Sequence, residues 1–240
     1  MTKKIELTNE EIQFLETDFK KNKRHGNPAK ETHSFIEATS LPNIILTAPH
    51  SVKTEKKSIK TGDIIKKDED LYTGAIVLAT QSFLGCHAMV RNNYNDTKID
   101  TNFYNEKLQD YIKKHNIKYL VDIHGAARHL PFDVAPGMGK DEFINYNEIY
   151  KTIIVENFHK HNINNIVFGT KFQAMRPTTL CRQVFDGTGI KATQLEINRN
   201  YRDPLNDIYK INLLLNALHD YVRNLDEVLS IELESEIKKR

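Results

Sequence analysis

The sequence predicts an α/β protein built on a mainly parallel sheet with helices on both faces. Three observations predict it. Short apolar runs, Ile44 to Ala48, Tyr119 to Ile123 and Ala192 to Ile197, read as buried strands. Amphipathic segments with helical spacing lie between them, and the two kinds alternate along the chain. Strands separated by helices pair in parallel through right-handed crossovers, and such a sheet is covered on both faces.

The elements follow in order. Thr8-x-x-Glu11 is a capping box, and Ile12, Leu15 and Phe19 continue it as an apolar stripe, so a first helix is expected from about residue 8 to 24. The strand from Ile44 ends at Pro49, which cannot donate to a sheet ladder, and this leaves His50 just past a strand end. Asp70 to Phe83 reads as a helix stopped by Gly85, His87 to Val90 as a short strand, and Asn102 to His115 as an amphipathic helix. The strand Tyr119 to Ile123 delivers His124 and Gly125. Pro131 to Lys140 reads as a flexible active-site loop, since its Gly-x-Gly-Lys ending lacks the spacing of a phosphate-binding loop. Asn147 to His161 is expected to be helical, Asn165 to Phe168 a strand, and Leu205 to about Leu229 a long helix. With no repeat and no linker in sight, a single domain over residues 1–240 is expected.

Bulk properties remove several function classes. Lys plus Arg number 34 against 32 Asp plus Glu, so no net charge draws the chain to nucleic acid or an anionic membrane. The charged N-terminal stretch lacks the apolar core of a signal peptide, and no run reaches the length of a membrane span, which predicts a cytoplasmic protein. Cys86 and Cys181, the two cysteines, lie in apolar surroundings and read as reduced structural thiols. A metal would have to be held by His and carboxylate.

Three polar signals fall at the carboxyl ends of expected strands: Pro49-His50-Ser51, Asp122-Ile123-His124-Gly125-Ala126 and Gln194-Leu195-Glu196-Ile197-Asn198-Arg199. Ligands of parallel sheets collect at that edge. A carboxylate between Leu195 and Ile197 demands a partner, because burying an unpaired charge is costly. A catalytic zinc ion takes two His, a carboxylate and a water whose pKa it lowers to about 7. His50 and His124 are the expected imidazoles, and Glu196 the general base that accepts the water's proton and passes it to a leaving amine. The third ligand is sought in the acidic start of the second helix, with Asp70 preferred and Glu69 in reserve. Asp122, two residues before His124 and on the same strand face, is a possible partner for its imidazole.

The ordered set PHS, DEDLYTG, DTN, DIHGAA and QLEINR resembles the N-formylglutamate amidohydrolase family over roughly residues 44 to 204. The resemblance implies a zinc-carboxypeptidase-like, three-layer α/β/α fold with a mixed, mainly parallel sheet of about eight strands. It also implies hydrolysis of an amide bond in an acylated amino acid, His50, Asp70 and His124 on one Zn2+ ion, and Glu196 as the catalytic glutamate. Beside the Asp-x-Asn signal this chain has Ile99-Asp100-Thr101-Asn102-Phe103, without the Arg some members carry there.

A glutamyl-type substrate calls for Arg, whose planar fork matches a carboxylate. Arg91, Arg128, Arg176, Arg182, Arg199 and Arg202 are available. Arg128 is expected at the reacting carbonyl, and Arg91, Arg199 and Asn102 on the substrate. Serine catalysis is set aside: no Gly-x-Ser-x-Gly elbow exists, and Ser51 would have to attack from beside its own base. The sequence thus leaves three readings, which are a zinc amidohydrolase for a small N-acyl amino acid, a zinc exopeptidase or deacylase for a short peptide or γ-glutamyl chain, and a metal- or ligand-binding protein without catalysis.

Overall fold

The computed structural model describes residues 4–57, 61–94 and 101–238, except for the side chains of residues 56, 57, 65, 101–103, 236 and 237. Its strands are β1 (His33–Ile36), β2 (Leu41–Ala48), β3 (Thr54–Lys57), β4 (Ile64–Lys67), β5 (Cys86–Arg91), β6 (Tyr119–Ala126), β7 (Val134–Gly137) and β8 (Lys191–Asn198). Its helices are α1 (Asn9–Leu15), α2 (Thr17–Arg24), α3 (Thr73–Leu84), α4 (Thr101–His115), α5 (Ile149–Lys160), α6 (Leu180–Thr188) and α7 (Ile208–Lys238).

Six strands form the central sheet in the order β1-β5-β2-β6-β8-β7, and β3 and β4 pair apart from it as a hairpin. The four inner strands are parallel, and the edge strands β1 and β7 run antiparallel to their neighbours. The expected mixed, mainly parallel sheet is therefore present, its eight strands divided six and two. Alternation along the strands feeds two apolar layers. Ile44, Leu46, Val121, Ile123, Leu195 and Ile197 pack with residues of α1, α3, α5 and α7. Ile45, Leu120 and Ala192, one position out of phase, pack with Tyr104, Leu108 and Ile112 of α4 and with Cys181 and Val184 of α6. Helices on both faces complete the three-layer α/β/α arrangement. Among the described residues no helix is long and apolar enough to cross a membrane.

Several expected elements are shifted. The Thr8–Glu11 capping box forms as read, but the single helix expected to residue 24 breaks at Glu16 into α1 and α2. Lys21, Asn22 and Lys23 leave helical geometry altogether. Gly85 does stop α3, with φ 64°. The stretch expected as a flexible loop instead supplies β7, fully buried against β8, with Pro136 tolerated because the strand is an edge. The expected strand at 165–168 reduces to one bridge, Ile166 to Val134.

The break at Glu16 has an energetic consequence. Glu16 is fully buried. One of its oxygens, Oε1, accepts from the Tyr72 N–H at 3.3 Å and from Arg24 Nη1 at 3.5 Å. The other has no hydrogen-bond partner among the described residues. Burial lifts this carboxyl to about 7, against the pull of Tyr72 N–H and Arg24. The folded state therefore holds a proton here that the unfolded chain releases above about pH 4.5. This contribution to stability is complete below that pH and fades as pH rises through 7. Glu16→Gln removes the titration, so urea unfolding at pH 4.5 and pH 8 should show the variant gaining on the native protein by about 2–3 kcal/mol between the two. A pH-independent difference between the two proteins would contradict this.

Candidate metal centre

The carboxyl ends of β2, β5, β6 and β8 lie along one edge of the sheet, and each brings a polar group there. On the face that α4 and α6 cover, the strands begin apolar with Ile45, Leu120 and Ala192. Two residues further, the same face carries Thr47, Asp122 and Gln194, and two further again His124 and Glu196. The register sets Thr47 beside Asp122, Asp122 beside Gln194 and His124 beside Glu196. A period-two change from apolar to polar on three adjacent strands thus builds one polar pocket floor.

Asp122 organises that floor. It is fully buried and accepts from Thr47 Oγ1 at 2.6 Å, while its second oxygen lies 2.8 Å from His124 Nε2. With Nε2 donating to Asp122, Nδ1 of His124 turns outward and lies 3.3 Å from Asp70 Oδ2. Asp70 is the first of four residues, Asp70 to Thr73, that turn the chain into α3. Its N–H donates to the His50 carbonyl at 2.7 Å, closing the neck of the β3–β4 hairpin and bringing His50 beside it. The His50 and His124 rings stand 5.1 Å apart between centroids. The two imidazoles and Asp70 therefore lie at one end of the sheet edge. Glu69, the reserve ligand, is drawn away by Arg24 Nε at 3.2 Å and Lys53 Nζ at 4.0 Å.

Charge is distributed unevenly over these groups. Burial holds His50 well below its ordinary value, with the Lys67 ammonium adding to the effect, so its ring is neutral. Burial also opposes a charge on His124, but Asp122, Asp70 and Glu196 outweigh it and raise the imidazole to about 10. Burial would raise Asp70, but the His124 and Lys67 charges outweigh it and hold the carboxyl below the usual carboxylate range. Glu196 moves up, chiefly through burial and partly offset by His124. Its Oε1 accepts from Gln194 Nε2 at 2.9 Å.

Among the described residues no three His, Cys, Asp or Glu side chains are drawn into full ligating geometry. Asp70 and His124 instead face one another, within ion-pair distance but off the line of a hydrogen bond. The donor atoms nonetheless fit a divalent cation. His50 Nδ1 and Asp70 Oδ2 are buried without a hydrogen-bond partner among the described residues, which is rare for such atoms. Together with His124 Nδ1 they make two imidazole nitrogens and one carboxylate oxygen, a set that suits zinc. The Asp122 contact on the far nitrogen is the support that ligating histidines ordinarily have.

The remaining predicted residues divide. Arg91, at the end of β5, donates from Nε to the Pro49 carbonyl at 3.0 Å, one residue from His50. Its guanidinium lies 4.8 Å from the Tyr104 ring centroid. Among the described residues Arg128 and Arg199 pair with Asp203 rather than with His50, Asp70 or His124. Both are spent on Asp203, at 3.3 Å and 3.2 Å, in half-exposed ion pairs. The side chain of Asn102 lies outside the described residues. Ser51 donates to the carbonyls of Ala48 and Arg91 and is buried, so it is a structural hydroxyl.

Arg202, one of six arginines open on sequence grounds, proves to be the buried one next to the site. It is 3% exposed and donates to the carbonyls of Ile197, Ala126 and Leu71. Its guanidinium crosses Gly125 so closely that a Cβ there would lie 2.5 Å from Nη2. The glycine of the His-Gly pair is therefore required by contact. No sequence signal separated Arg202 from Arg199, since the difference arises from the 3-10 turn Arg199–Tyr201, which turns one side chain outward and the other inward.

No protein-family model matches the chain, and no curated protein matches it in sequence. Among solved structures it is similar to a bacteriophage poly-gamma-glutamate hydrolase, 16% identical over 87% of this chain and 93% of that one, with a TM-score of 0.50. It is also similar to a gene product of Agrobacterium tumefaciens, 8% identical over 85% and 97% of the two chains, with a TM-score of 0.52. An N-formylglutamate amidohydrolase from Ralstonia eutropha is 9% identical over 80% and 98%, with a TM-score of 0.45. At these identities the likeness is one of fold.

Proposed function

We propose that the protein is a zinc-dependent amidohydrolase that cleaves the amide bond of a small N-acyl amino acid of the N-formylglutamate type. The observation that carries this reading is the clustering of the His50 and His124 rings, 5.1 Å apart, with Asp70 Oδ2, 3.3 Å from His124 Nδ1, beside the burial-raised carboxyl of Glu196. His50, Asp70 and His124 would hold the ion. When bound, it supplies Lewis acidity toward the amide carbonyl and the attacking water. Glu196 takes the proton from that water and returns it to the departing amine, a task for which an upward shift toward neutrality suits a carboxylate. Arg91 offers its remaining donors to a substrate carboxylate. Arg128 and Arg199, committed to Asp203, have no part in the proposal.

A second reading, a deacylase or exopeptidase for a short peptide or γ-glutamyl chain, is favoured by one feature. The hairpin between His50 and Asp70 carries Lys66 and Lys67, with Lys53 at its base, and the Lys67 charge bears on His50, Asp70 and Glu196. A cationic insert suits a longer anionic substrate, and the solved structure of a poly-gamma-glutamate hydrolase with this fold supports the same direction. A panel running from N-formylglutamate to γ-glutamyl oligomers separates the two. A binding protein without catalysis would cleave none of them.

The metal-free protein should bind one zinc ion per chain, and His50→Ala or His124→Ala should weaken binding by about 100-fold or more. Glu196→Gln should keep the ion and lower kcat by about 10²–10⁴. Absence of a stoichiometric divalent ion in the native protein, or unchanged zinc content in His124→Ala, would sink the assignment. Because His124 keeps its proton up to about pH 10 without metal and a ligating imidazole must be neutral, zinc uptake should expel one proton. Apparent affinity should then rise about tenfold per pH unit between pH 6 and 9, and calorimetry in buffers of different ionisation heat should count the proton. An affinity flat in pH would contradict the proposed His124 ligation. Arg91→Met should raise KM with little change in kcat, the mark of binding lost equally from ground and transition states. An unchanged KM for every carboxylate-bearing substrate would remove Arg91 from the site.

A further inference from the structure

The reading of Asp70 as a metal ligand raises the question of what fixes it. Its own N–H is taken by the His50 carbonyl at 2.7 Å, and its carbonyl by Thr73 N–H at 3.1 Å and Thr73 Oγ1 at 2.7 Å. The next joint is the peptide between Leu71 and Tyr72. There the chain enters α3 with Tyr72 at φ 66°, in the left-handed region that a residue bearing a Cβ disfavours. A corner of this kind persists only where its surroundings hold it.

Two buried side chains, a guanidinium and a carboxyl, grip that one peptide unit. Arg202 Nη1 donates to the Leu71 carbonyl, and Glu16 Oε1 accepts from the Tyr72 N–H at 3.3 Å. The guanidinium contact on the carbonyl is charge-assisted, the Glu16 oxygen accepts from the N–H whether or not the acid is ionised, and both contacts favour the same peptide orientation. Each side chain is anchored elsewhere. Arg202 also donates to Ile197 O at 2.8 Å, one residue after Glu196, and to Ala126 O at 3.1 Å, two residues after His124. Glu16 is 0% exposed and stands within 3.5 Å of Arg24 Nη1.

We propose that Glu16 and Arg202 are positioning residues for Asp70, clamping the Leu71–Tyr72 peptide from its two sides so that the carboxylate stays aimed at His124. The clamp ties an N-terminal helix junction and the segment after β8 to the loop that carries the third ligand. It rests on the zinc reading only for its functional consequence.

The test uses the full chain and zinc alone as the probe, titrated against a competing chelator. Glu16→Ala and Arg202→Lys should each weaken zinc binding at least tenfold, while Glu16→Gln, which keeps an acceptor oxygen, should stay within about threefold of the native protein. In an Asp70→Asn background, Glu16→Ala should cost nothing further, because its effect passes through that ligand. Folded variants with unchanged zinc affinity, or losses that add fully to that of Asp70→Asn, would overturn the proposal. Should Arg202→Lys fail to fold, Gly125→Ala pushes the same guanidinium with one carbon and must show the same dependence on Asp70. Hydrogen exchange of the Asp70 amide in metal-free protein supplies an independent arm. Glu16→Ala should speed it at least tenfold although the Asp70 to His50 bond itself is untouched, and unchanged exchange would overturn the clamp. If the native protein takes up no zinc, the metal reading fails while this exchange arm still decides the clamp.

Discussion

The site depends on one buried contact, the Asp122 carboxylate held between the Thr47 hydroxyl and the His124 imidazole. Asp122 has no access to water. Its charge must therefore be met by neighbours, and breaking such a buried pair costs about 3–5 kcal/mol. Because Nε2 of His124 is claimed from below, Nδ1 points out of the floor toward Asp70. A carboxylate one strand position earlier or later would face the opposite apolar layer and leave the ring free to turn.

Around that contact the molecule concentrates charge at the one edge of the sheet where backbone geometry leaves room for it. Asp122, Glu196 and Glu16 are buried and Asp70 nearly so, and the positive groups that bear on them include the His124 ring, the Arg202 guanidinium, Lys67 and Arg24. Burial pulls Arg202 down to about 10, and it remains a cation at neutral pH. Burial lifts both Glu196 and Glu16, and at Glu196 the neighbouring Asp70 and Asp122 add to it, so the setting that gathers the candidate ligands also raises the candidate base. The surrounding fold meets these demands with two apolar layers that fix the strands rigidly, so that the polar face is aligned by register rather than by loop conformation.

Much of this was legible in the sequence, for identifiable reasons. Buried parallel strands announce themselves as continuous apolar runs, and β2, β6 and β8 were read from them together with the polar residues they carry. His50, His124 and Glu196 stood out because each interrupts or ends such a run. The hairpin of β3 and β4, the edge strands β1 and β7 and the helix α6 were missed. Each is short, and the pattern of β7 is masked by Pro136 and Gly137, which read as a loop. Arginine roles were the least legible. Arg128 and Arg199 are adjacent to the motifs in sequence yet paired with Asp203, whereas Arg202 is turned inward by a single 3-10 turn, a matter of tertiary packing that no local spacing encodes. Glu16 was hidden for the same reason: on a charged amphipathic helix it looks like a solvated residue, and only the break between α1 and α2 buries it.

Where a cation sits decides whether His50, Asp70 and His124 act as ligands. Crystals grown with zinc, measured on both sides of the zinc absorption edge, locate the ion without reference to any assumed ligand. A single strong anomalous peak within about 2.0–2.2 Å of His50 Nδ1, His124 Nδ1 and an Asp70 oxygen is the predicted result. Zinc bound elsewhere, or His50 and His124 turned away from one ion, would contradict it.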